Sequence, residues 1–179
     1  MNKYFDKENL NINKSYIFIM LVLAIILIFF DVFLKPPKDK KRDLKDDDIR
    51  YHELVINEIM SSNNGAYIDS EGNTYDWIEI YNGTNRDVNL MGYGLSDDDT
   101  GRTKWNFPDY TLKSNEYVIV FLSGKNIDGL YTNFALSRSG GETITLKNRK
   151  GKTIDSVKTM SIDKNSVMAR DSDGKWIIT

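Results

Sequence analysis

The sequence predicts an all-β body, a sandwich or barrel, preceded by a single transmembrane helix. Three observations predict it. From Glu53 onward, runs of β-branched and aromatic residues recur at about ten-residue spacing between Gly, Asn, Asp and Ser, the pattern of an antiparallel all-β domain. No stretch of that region repeats apolar residues with the period of an amphipathic helix. Tyr16 to Phe30 is "YIFIMLVLAIILIFF", apolar or aromatic throughout.

Residues 1–15 read as a short tail with Lys3, Lys7 and Lys14. With "DVFL" the apolar run reaches Leu34. As a helix it is about 28 Å long at ~1.5 Å per residue, close to the ~30 Å hydrocarbon core of a bilayer. Asp31 falls near one end, where a charge costs least. No small-residue cleavage pattern follows, so residues 16–34 are expected to stay in membrane lipid as an uncleaved anchor. Residues 35–52 open with "KPPKDKKRDLKDDDIR", too charged to bury a core, and read as a solvated linker.

The body, residues 53–179, carries the runs "LVINEIM", "DWIEIYN", "VNLMGYGLS", "TKWNF", "EYVIVFLS", "ETITLKN", "KTIDSVK" and "KWIIT". "EYVIVFLS" is apolar on both alternations and predicts a central strand. "NG" at 82–83 predicts a hairpin turn, and "SGG" at 139–141 another turn. The expected core is Ile56, Ile78, Ile80, Leu90, Val118, Val120, Ile144 and Leu146.

Composition excludes several chemistries. Net charge is −2, so no basic field points to nucleic acid. There is no Cys, hence no disulfide, thiolate chemistry or Cys-ligated zinc. The single His, His52, precedes the first strand and leaves little room for a Ser-His-Asp arrangement. No nucleophile elbow occurs, and "SGK" at 123–125 lacks the upstream Gly spacing of a phosphate loop.

Alternation along "DWIEIYN" sends Ile78 and Ile80 to one face and Trp77, Glu79 and Tyr81 to the other. Two readings of that second stripe stay open. It is a binding strip for a glycan, peptide or partner strand, or Trp77 lies under the loop "YIDSEGNTY" with Glu79 accepting backbone N–H groups. Asp76 and Glu79, three apart, fall on opposite faces and make no catalytic pair. The acidic turns "DSEGNTYD", "SDDDTG" and "DSDGK" offer hard oxygen ligands, with Asp69, Glu71 and Asp76 as calcium candidates. Their spacing does not fit the EF-hand loop, and Asp and Ser also cap turns on their own. "NGT" at 82–84 fits a glycosylation acceptor but reads as a turn.

Four blocks in order, "VINEIMSSN", "DSEGNTYDWIEIYNGTNRDVNLMGYGLSDD", "KWNFPDYTLKSNEYVIVFLSGKN" and "NFALSRSGGETITLKNRKGKTIDSV", resemble the bacterial lamin-tail domain over roughly Leu54 to Thr179. The resemblance implies an immunoglobulin-like β-sandwich. It also implies an exported protein, of a kind often attached to spore-coat-H-like kinases or other surface modules. That family is not known as catalytic, so no catalytic residue, enzyme activity or cofactor is expected. Similar proteins continue past "SVMARDSDGKWIIT" through a Thr-Pro-Gly segment, from which this sequence departs.

The expected function is a membrane-anchored, non-catalytic binding module on the cell surface, with a protein or cell-wall glycan as partner. The alternative is an accessory domain or truncated N-terminal part of a surface enzyme such as a spore-coat-H-like kinase. Lys and Arg flanking the apolar run favour a cytoplasmic body. The resemblance favours an extracellular one, and the latter is expected.

Overall fold

The computed structural model describes residues 17–23, 25 and 53–179. Residues 17–23 and 25 are helical, with exposed side chains, in a different unit from the β body. Among the described residues, no helix is long and apolar enough to cross a membrane. The tail 1–15, the linker 35–52 with His52, and the remainder of 16–34 lie outside the described residues.

The body is all β, with antiparallel sheets, consistent with an immunoglobulin-like sandwich. Its strands are β1 (Leu54–Met60), β2 (Asp76–Asn82), β3 (Val88–Asn89), β4 (Gly94–Ser96), β5 (Trp105–Asn106) and β6 (Thr111–Leu112). Then come β7 (Tyr117–Leu122), β8 (Thr143–Lys147), β9 (Thr153–Lys158), β10 (Met168–Arg170) and β11 (Trp176–Ile178). One sheet has the order β11-β10-β1-β2-β7, the other β5-β4-β8-β9, and β3 pairs with β6.

Rows of aliphatic side chains across the five-stranded sheet form one wall of the core. Ile56, Ile80 and Val118 stand side by side, as do Ile59, Ile78 and Val120. Leu95, Ile144, Leu146 and Val157 of the four-stranded sheet join them in a single apolar cluster. All eight expected core residues belong to it, and all are buried.

β1 keeps its inward face only because of a bulge. Ile56 pairs with Ile80 and Glu58 with Glu79, so Asn57 is the extra residue. Ile56 and Ile59, three apart, thereby both face the core, which strict alternation forbids. A second irregularity, at Ile154 of β9, adjoins the regular register that sets Val157 opposite Ile144 and Asp155 opposite Leu146. Paired residues share a face, so this carboxylate points inward.

Several expectations are corrected. "EYVIVFLS" forms β7, an edge strand of the five-stranded sheet. Only Val118, Val120 and Leu122 enter the core. Phe121, on the other face, is covered locally by Tyr131 and Tyr67, at ring distances of 5.2 Å and 6.0 Å, which explains its apolar character without a second sheet layer. "VNLMGYGLS" is two strands, because Gly92 takes a φ of 80° and turns the chain between β3 and β4.

The Asn82-Gly83 pair makes no hairpin, since β2 pairs with β1 and β7 rather than with β3. Asn82 is instead fully buried. Its amide donates to the carbonyls of Arg86, Leu112 and Lys113 at 2.9–3.1 Å. Its side-chain oxygen accepts from Thr84. The "SGG" turn does form: Gly140 has a φ of 69°, and a Cβ there would meet the Met160 carbonyl carbon at 2.4 Å. β6 and β10, two and three residues long, are too short to show a period and were not foreseen.

Ile80→Ala opens a cavity at the centre of the first aliphatic row. Urea denaturation should register a loss of ~2–5 kcal/mol, with the slope of the transition unchanged. A loss within ~0.5 kcal/mol, the range of surface substitutions, would mean that β2 faces the other way.

Candidate functional site

The outer face of the five-stranded sheet carries the residues singled out on β2, together with others that register brings beside them. Three rows run across the strands. Met60, Trp77 and Phe121 form the first, Glu58, Glu79 and Ile119 the second, and Val55, Tyr81 and Tyr117 the third. On its far side the second row continues through Ala169 to Ile177, which is 42% exposed.

Trp77 is buried beneath the loop that precedes β2. The Tyr67 ring covers it at 5.9 Å. The loop is held by its own polar residues. Asn63 accepts from the Tyr67 N–H and donates to the carbonyls of Tyr67 and Tyr75. Asp76 accepts the Asn63 N–H at 2.9 Å. Burial raises the Asp76 carboxyl above its ordinary value, partly offset by that hydrogen bond.

Asp69 accepts from the backbone of Glu71 and Asn73, from the Asn73 amide and from the Tyr131 hydroxyl. Burial pushes its carboxyl up, but the hydrogen bonds from Asn73, Glu71 and Tyr131 together outweigh this and hold it low. Its oxygens are thus engaged in shaping the loop. The structure does not bring Asp69, Glu71 and Asp76 together: among the described residues no three metal-ligating side chains converge. In the turn at 96–101, Asp97 and Asp98 face Lys104 at 2.5 Å and 2.8 Å. Their hydrogen bonds push the Lys104 ammonium up in pKa.

The carboxylate row is different. Glu79 accepts from the Asn57 amide at 2.9 Å, a side-chain donor rather than the backbone N–H expected. Among the described residues, no Lys or Arg forms an ion pair with Glu58 or Glu79. Burial, and then the neighbouring Glu79, raise the Glu58 carboxyl. Tyr81 and Tyr117 stack beside this row at 4.6 Å, with Tyr117 53% exposed. Burial, followed by the charges of Tyr81, Glu79 and Glu58, raises the Tyr117 hydroxyl.

An open cleft of ≈ 550 Å³ adjoins the row, lined by Val55, Asn57, Tyr81 and the Arg170–Gly174 turn. Arg170 in its wall is already satisfied. It donates to both oxygens of Asp155 at 3.0 Å and 2.9 Å, to the Ile56 carbonyl and to the Gly174 carbonyl. Asp171 caps the turn by accepting from the N–H groups of Asp173 and Lys175.

Sequence reasoning named Trp77, Glu79 and Tyr81 but missed Glu58, Tyr117 and Arg170. Glu58 was hidden by the bulge. The one available signal was that Ile56 and Ile59 cannot both face inward without an extra residue between them.

The family model described as Lamin Tail Domain matches residues 50–161. No curated protein matches the chain. β10, β11 and the turn that completes the cleft lie past the matched residues.

The raised Glu58 pKa predicts the sign of a pH effect. A carboxyl whose folded pKa exceeds its unfolded one favours folding below the unfolded value, and that contribution is lost as pH rises through the folded value. Glu58→Gln should therefore be more stable than the parent protein at pH 7 by ~0.2–1 kcal/mol, the range for a cross-strand pair. The difference should vanish below the ordinary glutamate value of 4.5. Thermal unfolding across that pH range checks it, and a variant less stable at pH 7 would contradict it.

Proposed function

The chain belongs to the lamin tail domain family, and we propose that it is a non-catalytic interaction module of immunoglobulin-like fold. Residues 16–34 hold it in the membrane, and the body stands outside the cell. The observation that carries the reading is the outer face of the five-stranded sheet. It joins an open cleft, a half-exposed stacked tyrosine pair and two carboxylates without ion-pair partners among the described residues. In the loops, Asp69, Asp76 and Asp171 accept backbone hydrogen bonds that shape turns, and Asp97 and Asp98 pair with Lys104. Flat faces with tyrosines and a few polar groups are the composition of protein-binding surfaces. The membrane part of the reading rests on the apolar run and its ~28 Å helical length.

In vivo photo-crosslinking of the full chain tests the binding face. A photoreactive residue replacing Tyr117 should give a discrete adduct, while one replacing the exposed Ser156, on the other sheet, should not. Equal labelling from both positions, or none from Tyr117, contradicts the assignment. Protease treatment of intact cells tests the topology. A tag after Thr179 should be lost before the membrane is broken, and its protection would place the body inside.

A further inference from the structure

We propose that the Glu58–Glu79 row, with Tyr81 and Tyr117 along one side, receives a Lys- or Arg-bearing peptide segment of a partner protein. This rests on the interaction-module reading and names the chemistry of its partner.

The charges come first. Glu58 and Glu79 are direct cross-strand neighbours, an arrangement that destabilises a sheet when both are ionised. Nothing in the described structure compensates it with a cation. Asn57 donates one hydrogen bond to Glu79 and does not neutralise it. The adjoining cleft adds charge of the same sign through Asp171 and Asp173. Arg170, the cation in that wall, is held by both oxygens of Asp155. The surface is therefore short of positive charge in one place, and an arriving ammonium or guanidinium supplies it.

The flanks then restrict the kind of cation. Rows on one face of a strand lie roughly 7 Å apart, the reach of a long aliphatic stem crossing from the tyrosines to the carboxylates. Stacked Tyr81 and Tyr117 present an apolar surface for that stem and a ring face for cation–π contact. Ile177 and Ile119 close the row at its two ends. Two carboxylates beside aromatic rings suit an organic cation rather than a divalent metal, which takes six or more oxygens when it is calcium. A neutral sugar would leave both carboxylates without a counter-charge. It would also find Trp77 already covered by Tyr67.

The test uses the full chain in detergent micelles and isothermal titration. The probe is a short synthetic peptide alternating Lys and Ser; the controls are a Glu–Ser peptide, spermine and a chitin oligomer. The Lys–Ser peptide should bind saturably, more weakly as salt rises, and the Glu–Ser peptide and chitin oligomer should not. The Glu58→Gln/Glu79→Gln double variant should lose roughly tenfold or more in affinity. Its melting temperature should be equal to or above the parent's, which separates lost recognition from lost folding. Absence of saturable Lys–Ser binding, or binding unchanged in the double variant, overturns the proposal. Spermine binding as tightly as the peptide overturns the peptide assignment in favour of a small-cation site. Should the peptide fail while a photoreactive residue at position 117 still gives its adduct, the interaction module stands and the partner chemistry proposed here is wrong.

Discussion

Asp155 has no exposed surface, and four hydrogen bonds from three donor groups converge on its two oxygens. Arg170 reaches both, the Ile56 N–H gives 2.8 Å and the Ser156 N–H 2.9 Å. An ionised carboxylate taken out of water is tolerated only with that degree of satisfaction. The geometry also explains how the sandwich closes. Beyond the short β10, the edge of β1 would leave the Ile56 N–H and C=O unpaired, and an exposed ladder edge invites wrong pairing. Asp155 from the opposite sheet takes the N–H, and Arg170 takes the C=O at 2.9 Å. The Trp176 ring lies over the guanidinium at 4.7 Å. One ion pair thus joins β9, β1, β10 and β11.

Two of the strands joined by that pair, β1 and β9, are irregular. The bulge at Asn57 lets Ile56 and Ile59 face the core and turns Glu58 outward beside Glu79. Asp155 alternates regularly with Val157, and the irregularity at Ile154 lets that neighbouring residue face inward as well. The bulge in β1 that helps to build the interior therefore also creates the acidic row on the surface. Asn82 plays a comparable part at the far end of β2, where its buried side chain ties that strand to the carbonyls ahead of β7. In each case a single polar group, fully satisfied, fixes a junction that apolar packing alone would leave free to slide.

The sequence made the regular parts legible. Ile78 and Ile80 lie inward and Trp77, Glu79 and Tyr81 outward because β2 alternates without a break. Trp77 lies under the preceding loop, one of the two readings its pattern allowed. What stayed hidden was set by departures from alternation or by neighbours distant in the chain. Glu58 joins Glu79 only through the bulge, and Tyr117 joins Tyr81 only through the pairing of β7 with β2. The apolar outer face of β7 suggested a central strand because covering by single tyrosines from loops leaves the same mark as a second layer. Arg170 looked like one more charged residue in a turn, since nothing local marks it as the partner of a carboxylate 15 residues away.

The measurement that bears most directly on the buried pair is a double-mutant cycle of Asp155→Ala and Arg170→Ala by chemical denaturation at neutral pH. Removing either partner strands the other, so each single variant should lose about 3–5 kcal/mol. The double variant should lose much less than the sum, with a coupling above ~1 kcal/mol. Losses that add to within ~0.5 kcal/mol would show that the two residues act independently, and that the sheets are joined by apolar packing alone.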